Sequence, residues 1–335
     1  MTTNVTTSAP VEVLLATFNG ERFLREQIDS VLAQDYLNLR VLARDDGSTD
    51  GTLDILREYQ LRFPNRFRLL PTDQPAGSAK GNFLKLMQAA SADYLCFCDQ
   101  DDVWLSDKVN ISKLAMDQLE SRWGHIMPCL VFTDLRLVNS RLEPIHTSFW
   151  QFMGIEPDKM KGLSRWLLLS VVTGSTAMIN RPLLELAKRM PNEAVMHDRW
   201  MGLIASTMGR SSAIRKQTVL YRQHGNNVLG TGQDLTKPLR TPERISVWNR
   251  MRHYRKGPIF ENWIMAQGQP AAYLAVHGSE LPLRIRRSFE TFRKCDADRR
   301  RLIRLASWIR FGFENGGISE NLERLAIVWN ENRVV

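Results

Sequence analysis

Three carboxylates stand within four positions, Asp99, Asp101 and Asp102, with Gln100 between the first two. Carboxylates packed this closely repel one another, so the run costs stability unless a cation or hydrogen-bond donors hold it. An oxygen-only set of this kind suits Mg or Mn, ions that keep part of their water and bridge to substrate phosphates. A phosphorylated ligand is therefore expected. No G-x-x-x-x-G-K-[ST] loop is present and no G-x-G-x-x-G follows the first apolar run, which argues against a P-loop triphosphatase and a nicotinamide dehydrogenase. Two further polar sets occupy comparable places. Thr17, Asn19 and Glu21 follow the apolar run at 11–16, and Asp45, Asp46 and Ser48 follow the run at 39–43. Any one set could consist of turn formers only.

The elements that must position these groups alternate. Residues 11–16 form a short apolar run, and 21–34 then place Phe23, Leu24, Ile28, Val31 and Leu32 at helical spacing. A second run at 39–43 ends in DDGSTDG, where Ser48 or Asp50 is expected to cap the helix carrying Leu53, Ile55 and Leu56. Residues 67–70, 82–90 and 94–98 give a third strand, a third helix and a fourth, fully apolar strand. Such alternation predicts an α/β fold with a mainly parallel sheet flanked by helices. In open sheets of this type ligands bind beyond the carboxyl ends of the strands, and all three polar sets fall on that rim.

The chain has 335 residues, 45 Lys plus Arg against 36 Asp plus Glu, and four Cys. This is enough for a sizeable core in one large or two modest domains, with 43% hydrophobic and 24% charged residues as in an ordinary globular protein. The cysteines do not form a disulfide framework, which favours buried thiols in a reducing compartment. The opening MTTNVTTSAP lacks the basic start and apolar stretch of a secretion signal, so a cytoplasmic location is the expectation. The net charge of +9 is unevenly spread, with ten Lys or Arg between positions 281 and 310 against Glu290, Asp296 and Asp298.

ATFNGERFLREQIDSVLAQ at 16–34, ARDDGSTDGT at 43–52 and FCDQDDVW at 97–104 resemble, in order and spacing, the family 2 glycosyltransferases of the GT-A (Rossmann-like nucleotide-sugar-binding) fold. VVTGSTAMINRPLL at 171–184, MHDRW at 196–200 and YRQHGNNV at 221–228 extend the resemblance toward its bacterial rhamnosyltransferase branch. The likeness covers about residues 10–230. It implies a catalytic domain over 1–230, with a nucleotide-binding half at about 10–104 and an acceptor half at 105–230, followed by a helical basic region over 231–335.

The resemblance implies that Thr17, Asn19, Glu21, Asp45 and Asp46 bind the nucleotide of the donor, with Arg44 either pairing with the two acids or pointing away. Lys80, at the start of the third helix, is expected near ribose or diphosphate, against the alternative of a solvated helix-start lysine. The D-x-D signature places Asp99 and Gln100 toward the donor and Asp101 on a divalent Mg or Mn, with His224 completing the metal shell. Trp104 is expected to pack beneath this loop. Asp198 matches the family's general base, the alternative being a helix cap. Thr173 and Gly174 would line the floor where sugar meets acceptor, and Ser175 stands where Cys is often found.

The implied reaction is an inverting, metal-dependent transfer of L-rhamnose from dTDP-L-rhamnose to a hydroxyl of a cell-surface polysaccharide precursor such as O antigen, the alternative donors being UDP-hexoses and other nucleotide sugars. Leu302, Leu305, Ala306 and Ile309 can form an apolar stripe flanked by arginines. Such a helix suits the inner face of the membrane, where polyprenyl-diphosphate-linked acceptors lie, or packing on the catalytic domain or a homo-oligomer partner. A reading from another class, an inactive nucleotide-sugar fold that binds nucleic acid or membrane, explains less. An unmetallated acidic run repels a phosphate backbone, and the basic residues do not interleave with the motifs, so no nucleic-acid partner is expected.

Overall fold

All seven residues of β1 (Val11–Thr17) are buried, as a central strand covered on both faces requires. In the computed structural model, which describes residues 8–153, 155–159, 163–168, 171–224 and 268–297, β1 pairs in parallel with β2 (Leu39–Asp45) on one side and β4 (Tyr94–Cys98) on the other. β3 (Phe67–Leu69) adds outside β2, also in parallel. The returns between these strands are α1 (Glu21–Leu32), α2 (Thr52–Arg62) and α3 (Ala79–Ala89). Alternation along β1 divides the core: Val11, Val13 and Leu15 pack with α1 and α2, whereas Leu14 and Ala16 pack with Phe83, Leu86 and Met87 of α3. α1 turns Leu24, Gln27, Ile28 and Val31 inward at the expected spacing.

The second half continues the sheet with mixed pairing. It comprises β5 (Val103–Trp104), α4 (Lys108–Trp123), β6 (Cys129–Val138), β7 (Pro144–His146), α5 (Phe149–Met153), α6 (Leu163–Leu168), β8 (Ala177–Asn180), α7 (Arg181–Ala187), α8 (His197–Met208) and β9 (Arg210–Arg222). Strand order is β3-β2-β1-β4-β8-β6-β9-β5, with β7 on β6. β8 runs antiparallel between β4 and β6, and β5 pairs antiparallel with β9, so the parallel pairing predicted from the alternating segments belongs to β1–β4 and to the β6–β9 ladder. β9 returns the chain to the acidic loop, where Val103 and Trp104 pair with Leu220 and Val219.

After the undescribed residues 225–267, α9 (Gln269–His277) and α10 (Leu283–Ala297) pack against α8. Tyr273 meets Trp200 edge-on at 5.1 Å and stacks on Phe289 at 5.0 Å, and its hydroxyl lies 2.6 Å from Thr207 Oγ1. Val195 N–H donates to Gln269 Oε1, and Arg189 pairs with Glu280. Arg284, Arg286, Arg287 and Arg293 of α10 are exposed. The predicted stripe of Leu302, Leu305, Ala306 and Ile309, and the boundary at 230, lie outside the described residues. Among the described residues no helix is long and apolar enough to cross a membrane, and Cys96, Cys98 and Cys129 are buried thiols.

Candidate active site

The rim after β1 and β2 is a pair of interlocked loops. Thr17 Oγ1 donates to Asp45 Oδ1 at 2.9 Å, Ser48 Oγ donates to the same oxygen, and the N–H groups of Gly47 and Ser48 donate to Asp45 Oδ2. The carboxylate of Asp45 thereby builds the turn, which needs glycine at Gly47 because φ there is 89°. Ser48 serves this turn, and the N-cap position of α2 is Gly51 without a side-chain cap, so neither Ser48 nor Asp50 caps the helix as expected; Asp50 Oδ1 accepts from Thr52 N–H from one position earlier. Asn19, left-handed at φ 49°, accepts from Thr49 N–H, and Glu21 Oε2 accepts from Gly51 N–H. Arg44 is buried and faces the acidic pair: Nη1 donates to Asp46 Oδ1 and Asn82 Oδ1, both at 2.8 Å, and Nη2 to Gln74 O. Asp46 Oδ1 also accepts from Ala76 N–H, while its Oδ2 takes no partner among the described residues.

The acidic loop after β4 is tied to that rim by Gln100. Its Oε1 accepts from Phe18 N–H at 2.7 Å and its Nε2 donates to Phe18 O at 2.9 Å, and a β-carbon on Gly20 would fall 2.4 Å from the same Oε1. The clamp leaves the Phe18 ring 55% exposed on the rim. Asp101 Oδ2 lies 2.8 Å from His224 Nε2, just beyond the end of β9. Asp102 is fully buried, accepts from Arg222 N–H at 3.1 Å, and is pushed well above the carboxylate range by burial and by its acidic neighbours. Trp104 packs beneath the loop, with Lys108 Nζ 4.0 Å from its ring centre. Asp99 is pushed up to about 7 by its enclosure, then by the charges of Asp101 and Asp198, although part of its surface stays open.

Asp198 is supplied by α8. It is the second residue of α8, whose N-cap position is Met196, so the acid is not the cap. Its carboxylate sits where the helix N-terminus favours negative charge, and it accepts from Arg199 N–H at 2.6 Å. Burial raises it to about 6, against the lowering effects of the Arg199 charge and of the Arg199 and Gly174 N–H groups. Gly174 opens a 3-10 turn between Thr173 and β8, and Thr176 N–H donates back to Thr173 O. A β-carbon at Gly174 would meet His197 Nε2 at 2.6 Å. His197 itself is wedged against Phe83 at 4.0 Å and Phe97 at 5.2 Å, with neither ring nitrogen hydrogen-bonded, and burial lowers it to about 3. Ser175 is fully buried at this floor. Lys80 Nζ donates to Asn192 O and Ala194 O, the backbone leading into α8.

The rim thus brings Asp101 and Asp198 each within electrostatic reach of Asp99, with His224 on Asp101. No group of three or more His, Cys, Asp or Glu side chains converges as a ready metal site among the described residues. A carboxylate and an imidazole at contact distance form an incomplete set of hard and borderline donors, which fits an ion that takes its remaining ligands from diphosphate and water.

The profile described as "Glycosyl transferase family 2" matches residues 12–186, just over half of the chain. The chain belongs to glycosyl transferase family 2. A "dTDP-rhamnosyl transferase RfbG" of Shigella flexneri is 32% identical over 227 residues, covering 64% of this chain and 73% of the relative. Among solved structures, S. aureus TarS aligns over 94% of this chain and 50% of its own, with a TM-score of 0.53 at 15% identity. TarS 1-349 in complex with UDP-GlcNAc aligns over 97% and 91%, with a TM-score of 0.51 at 14% identity. The fold is GT-A. Within this family 2 site, sequence reasoning had passed over Phe18, His197 and Arg222. Each lies inside a recognised motif, but its partners come from segments far away in sequence, so no local pattern distinguishes it.

Proposed function

We propose that this protein is an inverting, metal-dependent glycosyltransferase that moves a sugar from a nucleotide donor to a hydroxyl, with L-rhamnose from dTDP-β-L-rhamnose as the donor. The observation that carries the reading is the placement of Asp198, a buried carboxylate at a helix start whose charge is felt by Asp99, which in turn feels Asp101. The 32% identity to a dTDP-rhamnosyl transferase supports the choice of sugar. Asp46, with an open carboxylate oxygen, and the backbone of the interlocked loops would take the base and ribose, and Phe18 offers its exposed face to a base. Thr17, Asn19, Glu21 and Asp45 then act by holding those loops in shape, and Gln100 by fixing Phe18.

Asp101 and His224 would hold Mg or Mn, which when bound offsets negative charge on the diphosphate leaving group. Asp198 accepts the proton of the acceptor hydroxyl as its oxygen bonds to the anomeric carbon, while the carbon–oxygen bond to the diphosphate breaks and takes its electron pair away. A single displacement inverts the centre, so a β-linked donor gives an α-linkage. Gly174 N–H keeps Asp198 oriented, and the helix start favours its charged form. The acceptor is a cell-surface glycan precursor, for which the exposed arginines of α10 offer a contact with an anionic membrane surface.

Calorimetric binding of dTDP-rhamnose, UDP-glucose, UDP-galactose and UDP-N-acetylglucosamine, each with Mn, Mg or EDTA, tests the reading. Metal-dependent binding of dTDP-rhamnose that is lost in Asp101→Ala is expected, and Asp198→Asn should bind the donor without turning it over. Preference for a UDP sugar would overturn the rhamnose assignment, and failure of every donor on folded protein would overturn the site.

A further inference from the structure

Arg222 is among the largest fully buried side chains of the described residues, at 1% exposure, and its guanidinium bonds to three described segments. Nε donates to Asp101 O at 2.7 Å, Nη1 to Ser140 O at 2.7 Å in the turn between β6 and β7, and Nη2 to Glu26 Oε2 at 2.5 Å on α1. Its backbone N–H donates to Asp102 Oδ1. The guanidinium carbon lies 4.4 Å from the ring centre of Phe23, a ring that also meets His224 at 5.1 Å between centres and the Arg22 guanidinium carbon at 4.8 Å. Two residues further along the chain, His224 meets the side chain of the same Asp101 whose carbonyl Arg222 holds.

We infer that Arg222 is the positioning residue of the Asp101–His224 pair: it fixes the backbone of Asp101 and the ring neighbour of His224 together, so that the two side chains are held 2.8 Å apart before a metal binds. The inference rests on the metal-dependent reading given above. A planar guanidinium with donors in three directions suits the task, because it can satisfy an acidic-loop carbonyl, a turn carbonyl and a helix carboxylate at once. Lysine keeps the charge but offers no rigid fork. Removing an outer partner of a metal ligand typically weakens metal binding by ~10–100-fold.

The test is calorimetric titration of MnCl2, with and without UDP or dTDP, into wild type, Arg222→Lys and Glu26→Gln, alongside thermal unfolding in EDTA. Arg222→Lys should weaken Mn binding by at least ~10-fold, while metal-free nucleotide binding stays within twofold of wild type. A global structural role would move both together. Glu26→Gln removes only the charge of the partly exposed partner and should weaken Mn binding by about threefold, which keeps the question answerable should Arg222→Lys fail to fold. Unchanged Mn affinity in folded Arg222→Lys, or in Glu26→Gln if the lysine variant does not fold, overturns the inference. If the wild type binds no Mn under either nucleotide condition, the metal reading itself fails. Arg222 is then judged by amide hydrogen exchange: faster exchange confined to residues 99–104 and 222–224 in Glu26→Gln supports its positioning role, and unchanged exchange there overturns it.

Discussion

Gly174→Ala isolates the contact between the floor of the site and the base helix. The new methyl carbon would stand 2.6 Å from His197 Nε2 and 3.1 Å from Cε1. Against ordinary carbon contacts this is short by roughly 1 Å. The imidazole cannot swing aside, since Phe83 lies 4.0 Å away and Phe97 5.2 Å away, so the 3-10 turn must move. Overpacking of this kind costs ~1–3 kcal/mol. The same displacement carries Gly174 N–H away from Asp198, and a shift of about 1 Å at reacting groups costs on the order of 100-fold in rate. The assay is nucleoside diphosphate release from the donor, read together with thermal midpoints for Gly174→Ala, His197→Ala and the double variant. His197→Ala leaves a cavity and loses stability alone, but in its background the added methyl has room, so the second substitution should cost far less there. Turnover of Gly174→Ala close to wild type, or an equal loss in both backgrounds, would refute the clash.

Protonation provides a second prediction. Asp198 at about 6 and Asp99 at about 7 both lie above their unfolded values, so the fold holds protons that the unfolded chain releases. Stability therefore falls as pH rises from about 4 through these values, while kcat/KM rises as Asp198 becomes the free base; denaturation midpoints and rates across this range should trend in opposite directions. Lys80→Met frees the carbonyls of Asn192 and Ala194 and should cost roughly 2 kcal/mol, with faster exchange at 191–196 and unchanged affinity for UDP or dTDP in EDTA. Weakened nucleotide affinity without the change in exchange would instead assign Lys80 to the donor. Arg189→Ala breaks a pair about 40% exposed on each side, so chemical denaturation should detect about 1 kcal/mol or less, concentrated as faster exchange in α9.

The alternating first hundred residues were readable because burial on both faces leaves long apolar runs, and the motifs located the rim because polar residues end each run. The assignments within the rim were less legible. Asp45 and Asp46 are identical in type and adjacent, yet one saturates itself on a turn while the other keeps an oxygen open, a difference set by Ser48, Arg44 and Ala76. Gln100, expected toward the donor from its place in the D-x-D signature, spends its amide on the backbone of Phe18, 82 residues earlier. The lysine at the start of α3 is open to two readings, near ribose or diphosphate or solvated, and nothing local announces that its ammonium bonds a loop more than 100 residues later. The pairing of the second half was also hidden, since β8 enters antiparallel without a distinct pattern of its own.

The length of β9 has a consequence for the order of assembly. The Asp101–His224 contact closes a separation of 123 residues and the Arg222–Glu26 contact one of 196, so neither can form until most of the ladder between β6 and β9 has zipped. Contacts this distant are slow to find, and a chain emerging from the ribosome presents its acidic loop well before the strand that will secure it. The nascent protein therefore passes through a stage in which β1 to β4 can pair while the loop still lacks Arg222 and His224. The Asp101–His224 contact is therefore completed only when β9 has paired.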